Sequence, residues 1–177
     1  MHSNERITRL SRRIQALVWL AGTVSIGAAT MRWLVYGTRA WFPPTLAAQM
    51  PLGGLNLERR LAGFCVELIP IAAAVYALVA LHHICEVYTK GDIFGKQMGA
   101  MYRKFGRGLL LLGAANGLYT ALITTVLTYV PGTTHLAIPL GLSTADMYLM
   151  VVGVAVMMLG SVMEEAHRIQ DENSKFI

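Results

Sequence analysis

Glu67 is an acidic side chain six residues inside an apolar run, 61–85. Ionisable groups at membrane depth are costly and are found paired, or facing a bundle interior or a water-filled space. Arg32 stands at the end of the preceding apolar run, 14–31, at a comparable depth if the two runs are antiparallel neighbours. Three arrangements compete. In the first, Arg32 and Glu67 form an intramembrane pair that relieves both charges. In the second, Arg32 snorkels to headgroups while Glu67 faces a watery crevice or is protonated. In the third, Glu67 carries protons or ions, a role that in transporters draws on more than one intramembrane acidic group. Asn116 is the other strongly polar residue mid-span and is placed to hydrogen-bond across helices.

The remaining chemistry-bearing types do not converge. His82 and His83 are adjacent, and neighbours on a helix diverge by about 100°, so both cannot address one metal or haem. His135 belongs to the opposite side, and His167 lies beyond the last apolar run on the same side as the pair, so a haem held by one of the pair with His167 is the residual redox reading. Cys65 and Cys85 share one helix and stand about 30 Å apart, too far for a disulfide. No phosphate-binding loop, metalloprotease histidine pair or glycine-flanked nucleophilic serine is present. These residues point away from an enzyme and imply no cofactor and no metal.

Four elements must position these groups. The chain of 177 residues is 55% hydrophobic and 14% charged, and its apolar residues gather in runs at 14–31, 61–85, 109–130 and 147–163. Each is long enough, with its flanks, to cross a hydrocarbon core of about 30 Å. The expected fold is therefore all-α: an integral membrane four-helix bundle in a single domain, 1–177. A cleaved leader is the alternative for the first run, given the basic "NERITRLSRR" and the small residues of "IGAAT", but the run exceeds a leader's apolar core. Small residues at four-residue spacing, Ala21, Ser25 and Ala29 in the first run and Gly113 with Gly117 in the third, predict packing faces. The same spacing serves internal packing or a homo-oligomer.

Net charge of +5 would suggest nucleic acid in a soluble protein, but here its distribution speaks to orientation instead. The N-terminal tail, the central connection and the C-terminal tail hold eleven of the 15 Lys and Arg residues, and the other side holds Arg32, Arg39, Arg59 and Arg60. Basic residues accumulate on the cytoplasmic side, so both termini and the central connection are expected there. The long first outer connection carries Trp33, Tyr36, Trp41 and Phe42, read as an interfacial aromatic belt. In the second, Ser143 or Thr144 is placed to cap the last helix, with Asp146 near its positive end.

The central connection is more organised than a linker. Phe94, Met98, Met101, Tyr102 and Phe105 fall on one helical face, while Lys96, Arg103, Lys104 and Arg107 fall largely off it. Gly91 breaks the preceding span and Asp92 is a natural N-cap. A short amphipathic helix over 92–108 is expected, lying in the headgroup boundary where its cations meet anionic lipids. The tail, 164–177, balances it with Glu164, Glu165, Asp171 and Glu172. Together they predict a charged cytoplasmic platform.

The segments "KGDIFGKQMGAMYRKFGRGLLLLG" and "EEAHRIQDENSKFI" resemble the paired signatures of small four-span bacterial membrane proteins, the domain-of-unknown-function family 2975. Gly91 and Phe94 match its G-x-x-F pattern, and Glu165, Ile169, Glu172 and Asn173 its acidic E-x-x-x-I-x-x-E-N tail. The resemblance covers about residues 60–177; the Pro- and Gly-rich outer connection stands outside it. It implies a bacterial inner-membrane protein without established activity, and a small helix-turn-helix regulator as a candidate partner. It supplies no catalytic residues.

The reading is a non-enzymatic polytopic inner-membrane protein that binds or regulates a partner through its cytoplasmic face, with an ion-coupled carrier using Glu67 as the alternative. Its topology is testable. In a background lacking Cys65 and Cys85, Thr45→Cys is expected to react with a membrane-impermeant thiol reagent in intact cells and Ser174→Cys only after lysis. Labelling of Ser174→Cys from outside would reverse the orientation.

Overall fold

The described part of each apolar run lies in a long helix. The computed structural model describes residues 2–36, 40, 42, 44–48, 50, 55–90, 97–128 and 141–174. Helix α1, His2–Thr30, passes into a π-helical stretch, Met31–Tyr36; a single turn, α2 (Pro44–Ala47), is followed by α3 (Leu57–Lys90), α4 (Met98–Thr128) and α5 (Thr144–Ser174). Among the described residues there is no strand. Four helices, α1 with its π extension, α3, α4 and α5, are long and apolar enough to cross a membrane, so the chain is a multi-pass membrane protein. The 34 residues of α3 reach about 51 Å. That exceeds the hydrocarbon thickness, so helix ends themselves build the surfaces outside it.

Local chemistry sets the helix starts. At α5, Ser143 and Asp146 form a reciprocal cap: the Asp146 N–H donates to Ser143 Oγ at 3.2 Å, and Asp146 Oδ2 accepts from the Ser143 N–H at 3.0 Å and its hydroxyl at 2.6 Å. At α3, the Arg60 N–H donates to the Asn56 carbonyl at 3.0 Å, and Glu58 occupies the first turn, where the helix dipole favours an acid. Pro70 lies inside α3 and removes one backbone donor from its ladder.

The helices pack in chain order, α1 on α3, α3 on α4 and α4 on α5. The closest seam is glycine against glycine. A Cβ added to Gly99 would stand 2.6 Å from the Gly160 carbonyl oxygen, one at Gly160 2.6 Å from that of Gly99, one at Gly106 2.5 Å from that of Gly153, and one at Gly113 3.0 Å from that of Asp146. Each step is seven residues on both helices, in opposite directions. Backbones thus touch at every second turn of an antiparallel pair, which is the way helices associate where lipid supplies no hydrophobic contrast. On α3, Ala77 meets Gly108 in the same manner, at 2.7 Å from the added Cβ.

This seam changes the reading of the central connection. Residues 98–108 are the opening turns of α4, continuous with the third span, and not a separate helix in the headgroup boundary. Met98 is 1% exposed, and Met101, Tyr102 and Phe105 are half-buried. Because Gly99 and Gly106 admit the α5 backbone, their apolar neighbours are covered by protein. Gly91, Asp92, Phe94 and Lys96 lie outside the described residues. The stripe expected on α1 is also revised: Ala29 is buried, whereas Ala21 and Ser25 are exposed, Ser25 bonding the Ala21 carbonyl at 2.8 Å.

The aromatic belt is revised as well. Trp33 is fully buried and Phe42 nearly so, their rings meeting edge-on with centroids 4.8 Å apart. With Met50, Leu55, Ile123 and Leu127 they form a core across the far ends of α1, α3 and α4. Trp41 and the side chain of Tyr36 lie outside the described residues. Elsewhere large apolar side chains face outward, among them Leu17, Val24, Val151, Met158 and Val162, as lipid-facing positions do.

The glycine seam predicts a contrast. Gly106→Ala is expected to destabilise the protein in detergent by about 1–3 kcal/mol, because a carbonyl must move. Gly27→Ala, whose Cβ meets nothing within 4 Å, is expected to be neutral or stabilising by up to roughly 1 kcal/mol. Thermal unfolding of both variants checks this.

Candidate functional site

The Glu67 carboxylate is held by two neighbours from one turn of the first span. Arg32 Nη1 donates to Oε1 at 3.0 Å, and the Trp33 indole N–H donates to Oε2. The Glu67 side chain is 12% exposed and that of Arg32 29%. Adjacent residues on an α-helix point well apart, yet Arg32 and Trp33 both reach one carboxylate; they do so from the π-helical stretch, a widening that recurs at functional sites. Gly63, one turn before Glu67 on the same face of α3, leaves the space that the indole fills, and a Cβ there would collide with the ring.

Each carboxylate oxygen therefore has a donor, and one donor is a cation. Such a site fixes α1 to α3 and cancels a charge at depth. Asn116 serves α5 similarly: its Nδ2 donates to Asp146 Oδ1 at 2.8 Å, tying the mid-α4 amide to the α5 cap. The sequence placed Asn116 between helices and Asp146 at a cap; the bond between them depends on the α4–α5 register.

The opposite end carries the other candidate residues. Arg103 Nη1 donates to Glu164 Oε2, joining α4 to α5 one turn from the Gly99–Gly160 contact. The Tyr88 and Tyr102 hydroxyls bond at 2.8 Å between α3 and α4, and the Ser11 hydroxyl donates to the Cys85 carbonyl at 2.6 Å between α1 and α3. Lys104, Arg107, Arg12 and Arg13 are exposed there. Along α5, Arg168 bonds Glu165 at 2.5 Å and approaches Glu172 at 3.9 Å. Ile169 is exposed. Asn173 lies in the last turn of α5, and its side chain lies outside the described residues, as does Asp171's. Of the platform residues, the structure brings Arg103 to the α5 tail through Glu164 and pairs Glu165 and Glu172 with Arg168 on their own helix.

The histidines diverge. His82 turns toward Trp19 on α1, with ring centroids 5.9 Å apart, while exposed His83 bonds the Val79 carbonyl at 2.8 Å through Nδ1. His135 lies outside the described residues. No three His, Cys, Asp or Glu side chains are grouped to hold a metal among the described residues.

A family model described as "Protein of unknown function (DUF2975)" matches residues 28–177. The chain belongs to this family. No curated protein and no solved structure matches the chain. In this DUF2975 member the match takes in Arg32, Trp33, Gly63, Glu67, the glycine seam and the Arg103–Glu164 contact. It begins well before residue 60, so the Pro- and Gly-rich outer connection is part of the family region and not an addition to it. Two signals in the sequence were overlooked: Gly63 one turn before Glu67, and the seven-residue glycine spacing at 99, 106 and 113 matched by 153 and 160.

The DUF2975 site is open to a double-mutant cycle. Arg32→Gln and Glu67→Gln, alone and together, are expected to couple by about 1–3 kcal/mol in thermal unfolding. Trp33→Phe, which keeps the ring and loses the donor, is expected to cost about 1–3 kcal/mol by leaving Oε2 short of a partner. Strict additivity of Arg32 and Glu67 would show that their contact contributes nothing.

Proposed function

We propose that this DUF2975 protein is a non-enzymatic multi-pass protein of the bacterial inner membrane, with both termini cytoplasmic, that binds or regulates a partner through its cytoplasmic face. That face is the end of the bundle that holds the first turns of α1 and α4 and the last turns of α3 and α5. The supporting observation is the junction of α4 and α5 there. Arg103 and Glu164 join the helices beside a backbone contact, so the surface around them is rigid. Rigid presentation of charge reduces the ordering cost of binding a complementary surface.

The exposed cations Arg12, Arg13, Lys104 and Arg107 suit anionic headgroups, at about 1 kcal/mol each, and an acidic protein partner suits the same charges. The family resemblance offers a small helix-turn-helix regulator as such a partner, with the regulator and not this chain touching nucleic acid. A second copy of the chain is another candidate. The carrier reading has less support, because both Glu67 oxygens are engaged and a carrier would have to release Arg32 and Trp33 in each cycle.

Charge reversal tests the proposal. Lys104→Glu with Arg107→Glu leaves the Arg103–Glu164 contact in place and is expected to reduce crosslinking to a cytoplasmic partner severalfold without affecting insertion. Arg103→Glu is expected to weaken it too, and the exchange Arg103→Glu with Glu164→Arg to restore it. If all variants insert and crosslink the same proteins to the same extent as wild type, the face is a membrane anchor only.

A further inference from the structure

Helices α3 and α4 are clamped twice at the end of the bundle that holds the first turns of α4. The Tyr88 and Tyr102 hydroxyls bond at 2.8 Å, and further along the pair Gly108 lies so close to Ala77 that an added Cβ would stand 2.7 Å from its Cα. Between the clamps, Ala80 is too small to fill the seam. A cleft of about 110 Å³ remains, lined by Ala80 and His83 of α3 and by Met101 and Lys104 of α4. Sites for whole small molecules start at about 300 Å³, so this one has room for a polar headgroup and not for more.

The polar groups of the lining are unspent. Lys104 is exposed and pairs with no carboxylate of the described residues, whereas its neighbour Arg103 is taken by Glu164. No lining residue is acidic. On the other wall, exposed His83 bonds the Val79 carbonyl at 2.8 Å through Nδ1. A carbonyl only accepts, so Nδ1 carries the proton and the neutral ring keeps Nε2 as an acceptor. The cleft thus offers a cation on one wall and a hydrogen-bond acceptor on the other.

Depth decides what reaches it. Lys104 stands five residues before the apolar run 109–130, and His83 two residues short of the end of the run 61–85, so both lie at headgroup level. Basic pockets between spans at that level bind anionic lipid heads. A zwitterionic head would bring a second cation beside Lys104 and find no carboxylate in the lining to pair it. A head with a phosphate and a hydroxyl satisfies both walls.

We propose that this cleft binds the head of an anionic phospholipid of the glycerol type, its phosphate on the Lys104 ammonium and a headgroup hydroxyl donating to His83 Nε2. The site rests on the reading of this end as a face that meets anionic lipid, and narrows it from diffuse attraction to one head in one cleft. Because the clamps hold both walls, little ordering is needed on binding.

Native mass spectrometry of the purified protein in detergent, titrated with single lipids at about pH 8, where imidazole is neutral, tests this. Phosphatidylglycerol is expected to bind roughly five- to tenfold more tightly than phosphatidylethanol, which has the same charge and lacks the hydroxyl, the worth of one hydrogen bond. Phosphatidylethanol is expected to exceed phosphatidylcholine by about fivefold, the worth of one cation. His83→Phe is expected to bring phosphatidylglycerol down to the level of phosphatidylethanol. Lys104→Gln is expected to weaken both by about fivefold, and by more than Arg107→Gln, whose side chain does not line the cleft. Soluble glycerol phosphate in excess is expected to leave the lipid in place; displacement would assign the cleft to a soluble phosphate ester and overturn the proposal. Equal binding of phosphatidylglycerol and phosphatidylethanol, or equal losses from Lys104→Gln and Arg107→Gln, would overturn it as well. The comparison of lipids requires no variant, so it decides even if a substitution impairs folding. It is made on the isolated chain, so its failure leaves partner crosslinking and topology standing.

Discussion

Helices inside a bilayer gain little from burying leucine against leucine, because the hydrocarbon they leave is as apolar as the partner they meet. Association must come from closer approach than lipid chains permit, or from polar groups that lipid cannot satisfy. This molecule uses both, in different places. Between α4 and α5 the antiparallel glycine register brings carbonyl oxygens to within 2.5 to 3.0 Å of where side chains would begin. The two helices are in effect one rigid unit. The Asn116–Asp146 bond and the Arg103–Glu164 contact are consequences of that register, since a shift of one residue would separate both pairs.

The first span is held differently. It has no glycine seam against α3; its polar attachments are the Ser11–Cys85 bond at one end and the Glu67 site at the other, with the Trp19–His82 ring contact between them. Between those ends the packing is looser: the Trp19 and His82 rings meet edge-on, but a Cβ on Gly22 would meet nothing within 4 Å. A cavity between α1 and α3 beside His82 lies in that looser stretch.

The same division separates the functional readings. A carboxylate whose two oxygens are taken by Arg32 and Trp33, beneath a core closed by Phe42, Met50 and Leu55, has the character of a lock. The opposite end presents exposed cations, Lys104 and Arg107 on α4 beside the α4–α5 backbone contact and Arg12 and Arg13 on α1. Stable scaffolding at one end and displayed charge at the other suit a protein that holds a surface in place at the membrane better than one that must alternate between two states.

Much of this was legible in the chain. Runs of apolar residues determine four helices, because a backbone in hydrocarbon must satisfy its own hydrogen bonds. The expense of isolated charges singles out Arg32 with Glu67, and the cap chemistry places Asp146. What covers each apolar face was not legible. The face bearing Met98, Met101 and Phe105 reads as a surface helix, and Trp33 and Phe42 read as an interfacial belt, yet Met98, Trp33 and Phe42 are buried and Met101 and Phe105 half-buried. Helical periodicity reports that a face is apolar; in a membrane, lipid and protein satisfy such a face equally. Only the tertiary arrangement, through which glycines meet which carbonyls, decided between them.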